Sequence, residues 1–262
     1  MSFPFFSRRW LLPTVLALAG VVVLVRLGLW QLDRLEQRRA FNERVLAQVN
    51  AATLDLNHTI PGDIDRMEYR PVVLRGSYDF AHQVALRNQD YHLHLGAHLL
   101  TPFKLAGSEQ AVLVDRGWIP QDDFLSGDWA KFDRPGETTL QGVVRVSQDK
   151  PDFGQIGDPT PAPGAPPRTA WRLANVPIIA RQIPYSLLTS VYIQRTPEIE
   201  AARPVENITE PLASSPDLDL SEGNHQSYAL QWFSFAAILA LGYPVYVLQT
   251  ERKKANTGKI ER

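Results

Sequence analysis

Residues 10–29 read WLLPTVLALAGVVVLVRLGL, twenty residues with a single charge, Arg26. At about 1.5 Å of rise per residue, a helix of this length crosses the roughly 30 Å hydrocarbon core of a bilayer. Arg26 lies near the end of the run, where a long side chain snorkels to the headgroups. Trp10 and Trp30 stand at its two edges, as interfacial belt residues do. A second run, YALQWFSFAAILALGYPVYVL over residues 228–248, contains no formal charge. Its Gly242 and Pro244 are tolerated in a membrane helix that packs on neighbours. Two apolar segments, one at each end, therefore predict terminal anchors around a long polar middle.

Other readings of these runs make different predictions. Ser7-Arg8-Arg9-Trp10-Leu11 has the form of a twin-arginine export signal, and Ala17-Leu18-Ala19 that of a cleavage site. The apolar run continues ten residues past Ala19, which favours an uncleaved anchor. The second run has the length of a span and a basic tail, which argues against a buried core helix.

Arg252, Lys253, Lys254, Lys259 and Arg262 follow the second run, whereas residues 206–224 hold five acidic side chains and no basic one. The positive-inside rule places that C-terminal tail in the cytoplasm, and two spans return the N-terminus, with Arg8 and Arg9, to the same side. Arg34, Arg38 and Arg39 dissent from this orientation. No Arg-rich amphipathic presequence precedes Trp10, so the expected location is a bacterial inner membrane with the central domain in the periplasm. Net charge is −1 over 262 residues, which gives no basic field for nucleic acid. Cysteine is absent, excluding disulfides and thiolate metal sites, and Met1 and Met67 are too few for a methionine-rich copper site.

The expected organisation is a cytoplasmic N-terminus (1–9), a first span (10–29), an amphipathic helical stalk (30–52), an extracytoplasmic β-rich domain (53–224), a second span (225–248) and a basic cytoplasmic tail (249–262). In the stalk, Leu32, Leu35, Val45, Leu46 and Val49 recur at helical spacing among charged residues. From Arg70 the pattern turns to short β-rich runs: 70–78, 83–88, 96–103, 110–120, 138–146 and 190–195. Gly107-Ser108 breaks two of them as a hairpin would. Strands in succession suggest an antiparallel sheet or partly closed barrel, making the chain an α+β membrane protein. Residues 151–168 carry six prolines and read as a surface insertion. Residues 175–183 read as a short helix with Pro177 in its first turn.

Enzyme signatures are missing: there is no G-x-S-x-G, H-E-x-x-H, Walker loop or G-x-G-x-x-G. A non-enzymatic role is expected. His92, His94 and His98 have strand spacing that puts them on one face. Such a row suits copper or zinc, but no fourth ligand falls at useful local spacing, and a solvated polar face beside a turn is the better reading. VLVDRGWIP (112–120) is a strand running into a Gly-Trp turn, with Asp115 and Arg116 on opposite faces. One of that pair is expected buried and paired. The alternative is a docking role for exposed Arg116 and Trp118, residue types common at interfaces. His225 opens the second helix, sharing a face with Tyr228, Ala229 and Trp232. The positive end of a helix dipole disfavours imidazolium, and neutral imidazole is the form that ligates metal or haem iron. Its plain alternative is a polar end-anchor.

Three segments in order resemble the Surfeit-locus-one family of cytochrome c oxidase assembly factors. LGLWQLDR (27–34) is similar to that family's L-G-x-W-Q-x-x-R at the exit of its first span. YRPV (69–72) with GSY (76–78), then VLVDRGWIP (112–120), form the second segment, and HQSYALQWF (225–233), similar to H-L-x-Y-A-x-x-W-F, the third. Gln226 departs from the leucine commoner there, at a position expected to face away from any ligand. The resemblance implies a membrane protein that assists maturation of the haem-copper oxidase, acting on subunit I alongside other assembly factors while haem a is delivered. It implies haem a as a bound group, with His225 as an axial ligand to iron. Trp30, Tyr228 and Trp232 are then expected to pack on the macrocycle, and Arg26 or Arg34 to pair with a propionate. Two other readings remain open: a cofactor-free scaffold that docks oxidase subunits, and a periplasmic metal-binding protein using the three histidines.

Overall fold

The computed structural model describes residues 5, 7–151, 157–162, 164, 166–198 and 204–260, with side chains of 255–260 left out. The chain divides into two units, 1–44 with 219–262, and 45–218.

The first unit is built on two long helices, α1 (Arg8–Val49) and α4 (His225–Ile260). Both are long and apolar enough to cross a membrane. Their outward faces carry large apolar side chains, such as Leu16 at 62 % and Leu241 at 72 % exposure, so neither is the core helix of a soluble fold. Such surface is stable against lipid and not against water. α1 runs unbroken from the expected span into the expected stalk. α4 extends past the expected end at 248, so Arg252, Lys253 and Lys254 are helical; Arg262 lies outside the described residues, as do residues 1–4 and 6 of the N-terminal segment.

Contacts between α1 and α4 step along the two helices in opposite directions, which makes them an antiparallel pair. Trp10 Nε1 donates to Glu251 Oε1 at 2.8 Å, and Thr14 Oγ1 lies 2.7 Å from the Tyr243 hydroxyl. Nearer the other end, a Cβ on Gly28 would sit 2.6 Å from the Phe233 ring. Only glycine admits that ring, the small-residue packing by which membrane helices approach closely.

In the second unit the β-rich runs form strands β1 (Leu54–Asp55), β2 (Pro71–Tyr78), β3 (Val84–Tyr91), β4 (His94–Leu105), β5 (Ala111–Pro120), β6 (Glu137–Val146), β7 (Ala170–Trp171) and β8 (Leu187–Arg195). Short helices α2 (Gln121–Ser126) and α3 (Val176–Ala180) complete it. Strands β2, β6, β8, β5 and β4 close into a five-stranded ring, because β2 pairs with both β6 and β4. Val72, Leu74, Phe103, Leu105, Val112, Val114, Val144 and Ile193 belong to the buried cluster of the ring strands. Side chains fill a barrel this small. A second cluster packs Leu86, Leu100, Leu113 and Trp171 beneath Val176 and Ile179 of α3. β5 is thus covered on both faces, which is why it reads as a nearly continuous apolar run.

The sheet is not purely antiparallel. β5 pairs with β8 in parallel, as do β1 with β2 and β3 with β7. The chain between β5 and β8 is long enough to carry the crossover that a parallel pair requires. The expected helix at 175–183 is shorter, Val176–Ala180, capped by Asn175, whose side chain accepts from the Ile178 N–H. Residues 152–156, 163 and 165 of the Pro-rich insertion lie outside the described residues. Within its described part Asp158 is interior: its carboxylate accepts the Arg172 and Leu173 N–H groups at 2.7 and 2.9 Å and pairs with Arg168.

Candidate functional site

His225 is the first residue of α4, and the Tyr228 N–H bonds back to the Asn224 carbonyl beneath it. Its Nδ1 lies 2.8 Å from Oε1 of Gln31 on α1. An amide oxygen only accepts, so Nδ1 donates this bond and Nε2 is the nitrogen left to meet a ligand. Gly223 offers that nitrogen no side chain; a Cβ there would lie 3.6 Å from Nε2. The result is a half-buried imidazole with one nitrogen fixed and the other open to a ligand.

The segment leading into α4 is tied to α1 by ion pairs. Arg38 meets Asp219 at 3.0 Å, and Arg39 grips Glu222 with two hydrogen bonds of 2.9 and 2.8 Å. Asn42 Nδ2 adds a bond to the Leu220 carbonyl at 2.6 Å. The hydrogen bond and charge of Arg39 hold the Glu222 carboxyl below its ordinary range. Hydrogen bonds from Ser221 do the same for Asp219, with a smaller contribution from Arg38. Two of the three arginines that dissented from the orientation are therefore neutralised by acids of the same unit.

Of the residues expected around a macrocycle, Trp30 and Tyr228 are half-exposed, at 48 % and 49 %. The Arg34 guanidinium lies 5.7 Å over the Trp30 ring and bonds Gln37 at 2.9 Å. Trp232 packs edge-on to Phe235 at 6.2 Å. Arg26 is exposed. Among the described residues, hydrogen-bond and ring contacts thus join Trp30 to Arg34, Trp232 to Phe235, and Gln31 to His225. Gln31 sits within the LGLWQ segment, but a glutamine beside a belt tryptophan has no periodic signature of its own.

In the central domain the pair offered as alternative docking residues is interior. Arg116 is 4 % and Trp118 1 % exposed. The docking role required exposure, and both faces of β5 are covered; the expected Gly-Trp turn is also absent, since β5 runs on through Trp118 to Pro120 in register with β4. Asp115 is buried as well, although one buried member of the Asp115–Arg116 pair was expected. Its Oδ2 lies 2.7 Å from His98 Nδ1, and its Oδ1 accepts the Gly117 N–H at 2.9 Å. The three histidines do not form one face. His92 and Leu93 make the β3–β4 turn with φ of 47° and 70°, His94 is exposed, and His98 turns inward to Asp115. Among the described residues no group of three or more His, Asp or Glu is arranged to hold a metal ion.

Burial opposes the charge on His98, but Asp115, its hydrogen bond and Asp90 outweigh burial and raise the pKa. A raised folded-state pKa gives stability that is complete below the unfolded value of about 6.5 and is lost as pH rises through the folded value. The melting temperature of the wild-type chain is expected to exceed that of His98→Asn by a margin that shrinks between pH 6 and pH 9. A margin independent of pH would show that the imidazolium contributes nothing.

The SURF1 family profile matches residues 18–237, most of the chain, with all of the central domain and all but the outer ends of α1 and α4. This chain belongs to the SURF1 family. A SURF1-like protein of Rickettsia bellii (strain RML369-C) is 24 % identical over 234 residues, covering 86 % of each chain. A SURF1-like protein of Caenorhabditis elegans is 27 % identical over 60 % of this chain and 54 % of its own. The Surfeit locus protein 1 of Xenopus tropicalis is 24 % identical over 67 % of this chain and 58 % of its own. The chain therefore spans a little over half the length of these two animal relatives. The family match includes both ends of the candidate site short of the helix tails, with Gln31 and His225 inside it.

Proposed function

We propose that this protein is an assembly factor for haem-copper cytochrome c oxidase, holding haem a through His225 and assisting its insertion into subunit I. It acts as a chaperone without catalysing a reaction, with other assembly factors, from the inner membrane of a bacterium. Family membership supports the oxidase connection. The observation that carries the haem reading is the His225–Gln31 hydrogen bond, which leaves Nε2 as a free ligand atom at the end of an apolar helix pair. Haem a is the cargo. His225 supplies its iron with a nitrogen ligand, half-exposed Trp30 and Tyr228 offer ring faces, and Arg34 offers a cation for a propionate. Gln31 fixes the tautomer and ring direction, as partners of metal-bound histidines do. Both termini lie in the cytoplasm and the central domain in the periplasm; Arg252, Lys253 and Lys254 just past the second apolar run support this.

The test is the absorption spectrum of the full chain purified in detergent from cells that make haem a. Wild type is expected to carry a Soret band, His225→Ala to lose it, and Gln31→Leu to weaken haem affinity by about 10–100-fold. Wild-type protein without haem would leave the cofactor-free scaffold as the better reading. A Soret band unchanged in His225→Ala would remove His225 as the ligand.

A further inference from the structure

A cavity of about 750 Å³ opens on the central domain, and its polar lining comes from neighbouring strands: Arg87, His98, Asp115, Gln194 and Arg145, with Arg172 just beyond β7. Most of these groups satisfy one another. Asp115 is taken by His98 at 2.7 Å. Arg145 bonds Gln194 Oε1 at 2.6 Å and Glu68 at 3.3 Å, and Gln194 Nε2 bonds the Ser214 carbonyl at 2.9 Å. Tyr192, whose phenol burial pushes up to about 12, also lines the cavity and stays protonated.

Arg87 and Arg172 are the exceptions. β3 and β7 run parallel with Ala85 opposite Ala170 and Leu86 opposite Trp171. The pairing ends at Trp171; Arg172 follows β7 in a bend, is exposed, and lines the same cavity as half-buried Arg87. Like charges that face one cavity repel unless something bridges them. Among the described residues neither guanidinium has a hydrogen-bond or ion-pair partner, and Arg87 Nε is buried with no acceptor. A buried donor without an acceptor costs about 1–3 kcal/mol. Asp90 and Asp217 also line the cavity, but both are exposed and neither pairs with either arginine. The cavity therefore has a surplus of donors at one end, two forks made for carboxylate or phosphate geometry.

We propose that this cavity is a binding site for a small oxyanion, a carboxylate- or phosphate-bearing molecule bridged between Arg87 and Arg172. The site stands apart from the haem reading and does not depend on it.

Calorimetric titration of the full chain in detergent with inorganic phosphate and with succinate, at constant ionic strength set by sodium chloride, tests it. Saturable binding of one or both, with a dissociation constant of about 1 mM or tighter, is expected. Phosphate alone, or succinate alone, assigns the oxyanion to that class. Arg87→Gln and Arg172→Gln are each expected to weaken binding about tenfold or more. Arg75→Gln, an exposed arginine paired with Glu137, is expected to leave it unchanged. Absence of saturable binding to both probes, or equal loss in Arg75→Gln, would overturn the proposal. A melting curve of each variant separates lost binding from lost folding: relief of like-charge repulsion predicts that Arg87→Gln melts no lower than wild type.

Discussion

Arg116→Ala is expected to destabilise the central domain by about 3–5 kcal/mol, the usual cost of breaking a buried charge pair from one side. At about 2–4 °C per kcal/mol for a domain of this size, the melting temperature falls by of order 10 °C. The guanidinium lies over two neighbouring rings, 5.2 Å from the Tyr78 centroid and 4.9 Å from that of Phe80. It donates to Gln83 Oε1 at 3.2 Å, to Asp133 Oδ1 at 3.3 Å and to the Phe132 carbonyl. Removing it opens a cavity beside the rings, takes a donor from Gln83 and Asp133, and leaves the Phe132 carbonyl without its guanidinium partner. Arg116→Lys keeps the charge but not the planar fork, so it recovers only part of the loss. Melting of the full chain in detergent, followed by fluorescence of buried Trp118 and Trp171, measures the change. A docking residue would behave oppositely, leaving the melting temperature unchanged and affecting only oxidase assembly.

That contrast shows where residue type misleads. Arg and Trp together in VLVDRGWIP match an interface signature, yet both are core residues. What decides burial is the second layer over β5, supplied by α2, α3 and the bridge from Trp118 to Leu212, none of which has a local signal in the strand itself. Both terminal helices were legible because length and uniform apolarity suffice to mark a candidate span. The six longer strands were legible because alternation and turn residues bound them. β1 and β7, two residues each, leave no periodicity to read. Parallel pairing of β5 with β8 was also hidden, since strand direction depends on chain that intervenes between them. In the candidate site His225 stood out by its place at a helix start. Gln31 and the Arg38–Asp219 and Arg39–Glu222 pairs did not, because each joins residues more than 180 positions apart.

Gly76→Val is expected to prevent the central domain from folding. Gly76 stands on β2 at the seam of the barrel, opposite Leu105 of β4 on one side and Thr138 of β6 on the other. A Cβ there would lie 1.9 Å from the Lys104 carbonyl oxygen and 2.9 Å from the Phe103 ring. The first obstacle is backbone, which cannot rotate aside as a side chain would. β4 must move away, and the seam rests on only three paired positions, Gly76–Leu105, Ser77–Lys104 and Tyr78–Phe103. Opening it exposes Leu74, Phe103 and Leu105, all within 3 % of full burial. At about 1.5–3 kcal/mol for each side chain returned to water, the loss is roughly 5–9 kcal/mol. A whole domain has only about 5–15 kcal/mol of stability. Gly62→Val is the control, because nothing lies within 4 Å of its Cβ position. Limited proteolysis and tryptophan fluorescence of the two full-length variants are expected to show Gly62→Val native and Gly76→Val cleaved throughout residues 45–218. A native Gly76→Val would mean that β2 and β4 do not meet there, and that the domain is an open sheet rather than a closed barrel.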